Sequence, residues 1–386
     1  MNLIWALILF LNILFVLGQN GRGFIKTNAN LFDEIHSSNE PKTLIECCGH
    51  CGTFQTCQGV TFDGNTCTAI NNVIPNFSAR YDEVAWIDAE LSKQTKKLLI
   101  FGGSKDQTEI IDLAFKSSHI LPMTTQMSKS IGDKISDTQA VICESMKDID
   151  NAGNCQFFEI ANPQEATMLD GVVSEDRTSA LAIGIPELEG LWIVGGQSTR
   201  STEIITKTGT QPGPQTPKQN IRRSCMVRIN STTYFMMGGK STQKNSWFCH
   251  MTAEDPQDWR WINGPDLQDQ RESHGCISWH INDKVVPVVI GGTEKTSSEF
   301  LDLDTNEWYY GPSLDFVLEV PGIAEISNKN RNEIFLFGGK NGSNQETLNL
   351  IYKLKCDDQN QINTCHWFQM AQQLQKPRKS GIVIQI

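Results

Sequence analysis

The chain has 386 residues, 39% of them hydrophobic, and a net charge of −11. That length supports a sizeable core and is long for one ordinary domain. The acidic balance argues against nucleic acid and anionic membrane surfaces as partners, because both draw affinity from basic patches.

The chain opens with "MNLIWALILFLNILFVLGQNG", an apolar run from Leu3 to Leu17 broken only by Asn12. Its length suits the apolar region of a signal peptide and is short for a membrane span. Val16 and Gly18 suit the −3 and −1 positions of a cleavage site, so residues 1–18 read as a signal peptide and the protein as secreted. No Lys or Arg precedes the run, which keeps a membrane anchor formed by an uncleaved segment as the alternative. No second apolar run of spanning length follows. The 12 cysteines agree with an oxidising compartment. Asn76, Asn230 and Asn341 each begin an Asn-x-Ser/Thr sequon and would be glycan acceptors on surface loops.

Residues 28–90 form a small cysteine-rich module. The stretch "TLIECCGHCGTFQTCQGVTFDGNTCTAI" reads as a short helical start followed by a hairpin around Asp63-Gly64. Cys47, Cys51, Cys57 and Cys67 follow the spacing C-x3-C-x5-C-x9-C, with Cys48 extra. A segment this small needs covalent staples. "CGHC" also has the form of a redox or zinc fragment, but no second ligand pair accompanies it. The spacing resembles PAN/apple modules, in which a helix is stapled to a small sheet. That resemblance implies pairs Cys47–Cys67 and Cys51–Cys57.

From residue 97 onward one pattern repeats. Apolar runs end in double glycines at Gly102-Gly103, Gly195-Gly196, Gly238-Gly239, Gly291-Gly292 and Gly338-Gly339. The last four pairs are spaced by 43, 53 and 47 residues, and the first gap of 93 is two periods. The continuation repeats as well, as "TEIIDL", "TEIITK" and "SEFLDL". Such units are four-stranded sheets whose two apolar faces must be covered by neighbours, and a closed circle of them protects the edges. Glycine at the strand end permits close backbone approach near the axis. Trp308, after "DTNE", belongs on an outer strand between blades, and Trp261 and Trp367 fall in matching places.

The double glycines, the run "SEFLDLDTNEW" and the approaches "RESHGCISW", "RRSCMVRI" and "RKSGIVIQI" together resemble the kelch family of β-propellers. The resemblance covers residues 97–386 and implies an all-β kelch-type propeller behind a small disulfide-rich α+β module. The count is about six blades, including a degenerate second unit near 137–175 that has no double glycine. The terminal "SGIVIQI" has no partner after it and is expected to complete the first blade. Five blades with a long insertion is the alternative.

Cys356 and Cys365 flank a turn between two strands, and Cys143 and Cys155 bracket another, so both pairs are disulfide candidates. The pairing of Cys48, Cys225, Cys249 and Cys276 stays open, with buried unpaired thiols the other reading. No chemical site emerges. The seven histidines are scattered, so no metal and no cofactor is expected. Glu109, Glu203 and Glu299 repeat by position and belong to the scaffold. A kelch-type propeller can be a galactose-oxidase-like copper enzyme, but Tyr81, Tyr234, Tyr309, Tyr310 and Tyr352 form no evident ligand set. The expectation is a non-enzymatic secreted protein that recognises an extracellular protein or carbohydrate through propeller loops and the cysteine module. Loops 240–244, 294–297 and 340–344 are the recognition candidates, and the same loops also suit plain solvated turns. A lectin acting through the cysteine module is the alternative.

Overall fold

A computed structural model describes residues 97–102, 108–113, 117–121, 130–144, 153–328, 331–357 and 362–385, and the backbone of six strands before them. The chain divides into two units, residues 1–97 with 111–118, and residues 98–110 with 119–386.

The six early strands form one sheet in the order Phe15–Leu17, Gly23–Asn28, Val84–Asp88, Gly59–Phe62, Cys67–Val73, Phe32–Ser38. Gly59–Phe62 and Cys67–Val73 are an antiparallel hairpin with Phe62 opposite Cys67, where the turn chemistry of Asp63-Gly64 predicts one. The expected helical start and the side chains of Cys47, Cys48, Cys51, Cys57 and Cys67 lie outside the described residues. So do Asn76, Tyr81 and Gly103. Phe15–Leu17 falls inside the segment read as a signal peptide, so cleavage there would leave five strands.

The remainder is a six-bladed β-propeller. Blade 1 runs Ile382–Gln385, Lys97–Phe101, Thr108–Asp112, Ser117–Leu121 from the axis outward. Blade 2 is Ser130–Lys134, Gln139–Glu144, Gly153–Glu159, Asn162–Val173, and blade 3 is Leu181–Ile185, Gly190–Val194, Thr202–Thr206, Gly209–Pro212. Blade 4 is Cys225–Asn230, Thr233–Met237, Ser246–His250, Arg260–Asn263. Blade 5 is Gly275–Ile281, Lys284–Ile290, Ser298–Asp302, Glu307–Tyr310, and blade 6 is Gly322–Asn328, Arg331–Phe337, Leu350–Cys356, Cys365–Gln373. The inner strands touch in a closed ring of six. The C-terminal strand supplies blade 1 with its inner strand, Ile382 opposite Phe101 and Gln385 opposite Leu98. Blade 2 begins earlier than its sequence suggests, because its inner strand "SIGDK" carries a single apolar residue.

Second strands are buried on both faces because each lies between neighbouring blades. Every residue of Gly190–Val194 and of Thr233–Met237 is buried, which is why these strands are continuous apolar runs. Each buried large side chain contributes about 1.5–3 kcal/mol. Trp192 meets Tyr234, Trp259 and Trp261 across the joint of blades 3 and 4, with ring centroids 5.4–5.7 Å apart. Trp308 packs between blades 4 and 5 with Phe235 and Leu267, and its indole donates to the Pro265 carbonyl at 3.0 Å. Trp367 repeats this one joint on, donating to Pro312 at 3.1 Å.

Cys143–Cys155 joins neighbouring strands of blade 2, and Cys356–Cys365 joins neighbouring strands of blade 6. Cys225–Cys276 staples the inner strands of blades 4 and 5, a pairing that sequence left open. Cys249 is a free buried thiol in the core between blades 3 and 4, its pKa pushed up by burial. Among the described residues no helix is long and apolar enough to cross a membrane.

Candidate functional site

The double glycines set the geometry of one end of the axis. Both members take positive φ, 70° and 123° at Gly195-Gly196 and 60° and 110° at Gly238-Gly239. A Cβ on Gly195 would lie 2.5 Å from the Ile221 carbonyl, and one on Gly238 2.8 Å from the Arg271 carbonyl. Only glycine fits both the conformation and the space. The second glycine then donates to that same carbonyl of the next blade. Gly196 bonds Ile221 at 2.8 Å, Gly239 bonds Arg271 at 2.8 Å, Gly292 bonds Leu318 at 2.8 Å and Gly339 bonds Arg378 at 2.7 Å.

The accepting residue stands four positions before each inner strand, and its side chain is the inside of the blade. In blade 5, Arg271 reaches Glu299 at 2.8 Å and the Gly291 and Ser297 carbonyls at 2.7 and 2.8 Å. In blade 3, Arg177 reaches Glu203 at 2.6 Å and the Gly195 and Ser201 carbonyls at 3.0 and 2.9 Å. In blade 1, Arg378 reaches Glu109 at 3.0 Å and the Ile100 carbonyl at 3.1 Å. Glu109, Glu203 and Glu299 are therefore structural, as their periodicity implied. In blades 4 and 6 apolar pairs stand in the same places, Ile221 with Trp247 and Leu318 with Tyr352. The blade 4 approach is thus centred on Ile221, not on Arg222 as the sequence pattern suggests.

Two residues further on, every described approach turns through the left-handed region. Ser179, Arg223, Ser273, Val320 and Ser380 have φ of 58°, 54°, 58°, 45° and 55°. Their backbones form a chain of bonds around the axis. Arg223 N–H donates to Ser179 at 2.9 Å, Ser273 to Arg223 at 2.9 Å, Val320 to Ser273 at 2.7 Å and Ser380 to Val320 at 2.7 Å. The ring consumes its own backbone polar groups, so its side chains are what it presents. Nothing in the apolar periodicity signals it. The constant offset from the clamp residue is the one trace in the sequence.

A cavity of about 410 Å³ opens inside this ring, lined by Ser179, Arg223, Ser224, Ser273, His274, Glu319, Lys340, Lys379 and Ser380 among others. Arg223 pairs with Glu272 at 3.5 Å, and Lys340 with Glu319 at 3.6 Å. Lys379 and Ser380 are exposed. His274 is 6% exposed, and its imidazole packs over Gly238. Neither ring nitrogen has a partner within hydrogen-bonding geometry, and the Ser224 hydroxyl has none either. Burial, with the nearby Arg271 charge, pushes the His274 pKa down to about 3, against the opposing pull of the Met237 carbonyl. The ring is therefore a neutral imidazole carrying one N–H and one lone pair.

The loops singled out from sequence follow the double glycines and lie at this end. Lys340 lines the cavity. Ser297 instead belongs to the scaffold, its hydroxyl held between Arg271 at 2.7 Å and Asp269 at 2.8 Å. Asn230 is exposed in the turn of a blade 4 hairpin, and Asn341 is partly buried beside Lys340. The Tyr234 hydroxyl donates to Gly184 at 3.3 Å and the Tyr352 hydroxyl to Gln369 at 2.9 Å, while Tyr309 and Tyr310 are exposed on the outer strand of blade 5. Among the described residues no three His, Cys, Asp or Glu side chains are placed to hold a metal ion. Sequence reasoning also missed the repeated Gly-Pro after outer strands. Thr202, Ser246 and Ser298 each donate a hydroxyl to Pro214, Pro265 and Pro312, at 3.1, 2.8 and 2.8 Å. No family model and no curated protein matches the chain.

Proposed function

We propose that the chain is a secreted, glycosylated, non-enzymatic recognition protein. In this reading it is a kelch-type propeller behind a PAN/apple-like cysteine module, and it binds an extracellular protein or carbohydrate at the axial mouth. The observation that carries the reading is the convergence of side chains from five successive blade approaches on one cavity, on a backbone ring that fixes their positions. Rigid placement of loop side chains is what binding sites on scaffolds need. The repeating carboxylates are consumed inside the blades, which leaves them unsuited to acid–base work. The kelch type rests on the double glycines and outer tryptophans, the cysteine module on its spacing, and secretion on the N-terminal run.

The test is a screen of the full chain on a glycan array and against extracellular protein extract, with oxidase and hydrolase turnover measured in parallel. Saturable binding without turnover is the expected result. Turnover of a sugar or alcohol would overturn it. Sugar binding that persists when Arg223 and Lys379 are replaced would move recognition to the cysteine module.

A further inference from the structure

We propose that the axial mouth binds the oxyanion group of a small acidic ligand, a carboxylate or sulfate, between Arg223, Lys379 and the His274 imidazole. This rests on the recognition reading above and names its chemistry.

Three cationic side chains line the cavity, Arg223, Lys340 and Lys379, against two carboxylates, Glu319 on its wall and Glu272 paired with Arg223 at 3.5 Å. This patch is positive on a chain whose net charge is −11. Glu319 is occupied by Lys340, and Lys379 has no ion-pair partner among the described residues. Arg223 stands before the inner strand of blade 4 and Lys379 before that of blade 1, across the ring from one another, so they can approach one ligand from two sides. Charge-assisted donors of this kind favour carboxylate and sulfate oxygens.

His274 supplies the second, independent observation. A buried imidazole with neither nitrogen in a well-aligned hydrogen bond is unfavourable, and the Met237 carbonyl, near the ring but outside that geometry, leaves its N–H poorly satisfied. An acceptor in the cavity satisfies it. The Ser224 hydroxyl, buried and unpaired on the same wall, is a further donor. The backbone N–H groups of Arg223, Ser273, Val320 and Ser380 donate to carbonyls of the same ring, so the site is not a backbone nest and its selectivity lies in side chains. The cavity of about 410 Å³ has room for a group of monosaccharide or amino-acid size.

The experiment is thermal and calorimetric titration of the full-length protein with sodium sulfate, sodium glucuronate and methyl glucoside, at constant ionic strength set with sodium chloride. Saturable stabilisation by sulfate and glucuronate is expected, and none by methyl glucoside. Arg223→Gln with Lys379→Gln should weaken the response at least about tenfold, as loss of a charged hydrogen bond does. Arg223 loses only a partly exposed ion pair with Glu272 and Lys379 loses none among the described residues, so without ligand the variant should stay within about 1 kcal/mol of the wild-type stability. Lys284→Gln, at the start of the second strand of blade 5 opposite Ile281, should bind as the wild type does. Equal binding of methyl glucoside would overturn the oxyanion assignment while leaving recognition at the mouth intact. An unsaturable response, or one unchanged in the Arg223 and Lys379 variant, would overturn the site itself. The screen described above would then decide the recognition reading on its own.

Discussion

Blade 5 can be asked to adopt the interior of blade 6. The Arg271 and Glu299 side chains are completely buried and form a hydrogen-bonded ion pair. Arg271→Leu removes the guanidinium from Glu299, from the Gly291 and Ser297 carbonyls and from the Ser297 hydroxyl. Glu299 then retains only the backbone amides of Gln268 and Asp269, at 2.7 and 3.1 Å. Breaking one side of a buried pair costs about 3–5 kcal/mol. For a unit of this size that lowers the melting temperature by about 6–20 °C. Adding Glu299→Tyr recreates the pair that blade 6 already uses, Leu318 with Tyr352. The double variant should recover most of the loss, giving a coupling of about 2–3 kcal/mol. Urea unfolding and calorimetry of the two single variants and the double variant measure this. A single substitution costing under about 1 kcal/mol, or a double variant that merely sums the two losses, would refute the equivalence of polar and apolar clamps.

Four further outcomes follow from the structure. His274 titrates at about 3 when folded, below the ordinary value of 6.5, so its contribution is intact above pH 6.5 and is lost as pH falls toward 3. That interval corresponds to at most about 5 kcal/mol, and His274→Asn should flatten the acid limb of stability against pH. His280 has the opposite sign. Its hydrogen bond to Glu325, at 2.6 Å, raises its pKa, so its contribution is present below pH 6.5 and fades as pH rises through the raised value. Val320 is the one β-branched residue among the described residues of the left-handed ring, with φ of 45°. Val320→Asn should stabilise by about 1 kcal/mol in urea unfolding, since asparagine tolerates that region, and destabilisation would count against strain there. The Cys225–Cys276 bond spans 51 residues, and Cys225→Ala with Cys276→Ala should lower stability by about 2–4 kcal/mol.

Much of the propeller was legible because its repeats are dictated by sterics. The double glycines mark positions where backbone conformation and a neighbouring carbonyl exclude every other residue. Trp308 and Trp367 were legible because an indole between blades has to be large, apolar and able to donate. The closing strand could be read from an unpaired "SGIVIQI". The clamp was only half legible. The three glutamates recur, but their arginine partners lie 26 and 28 residues earlier in two blades and at the other end of the chain in the third. Ile221 and Leu318 break the pattern with apolar substitutes, which is why Arg222 draws the eye instead. The mouth was barely legible. Its residues are serine, arginine, lysine and one histidine in turns, types that sequence cannot distinguish from solvated loops. Only the left-handed conformation at a fixed offset brings them together.

Recognition at the axial mouth is the claim on which the account turns. The most direct measurement is a quantitative pull-down from extracellular extract and glycan mixtures, comparing the wild type with Arg223→Glu/Lys379→Glu. The account predicts that the wild type retains a ligand saturably and that the variant, still unfolding in one cooperative transition, loses it. Equal retention by the two proteins would contradict it.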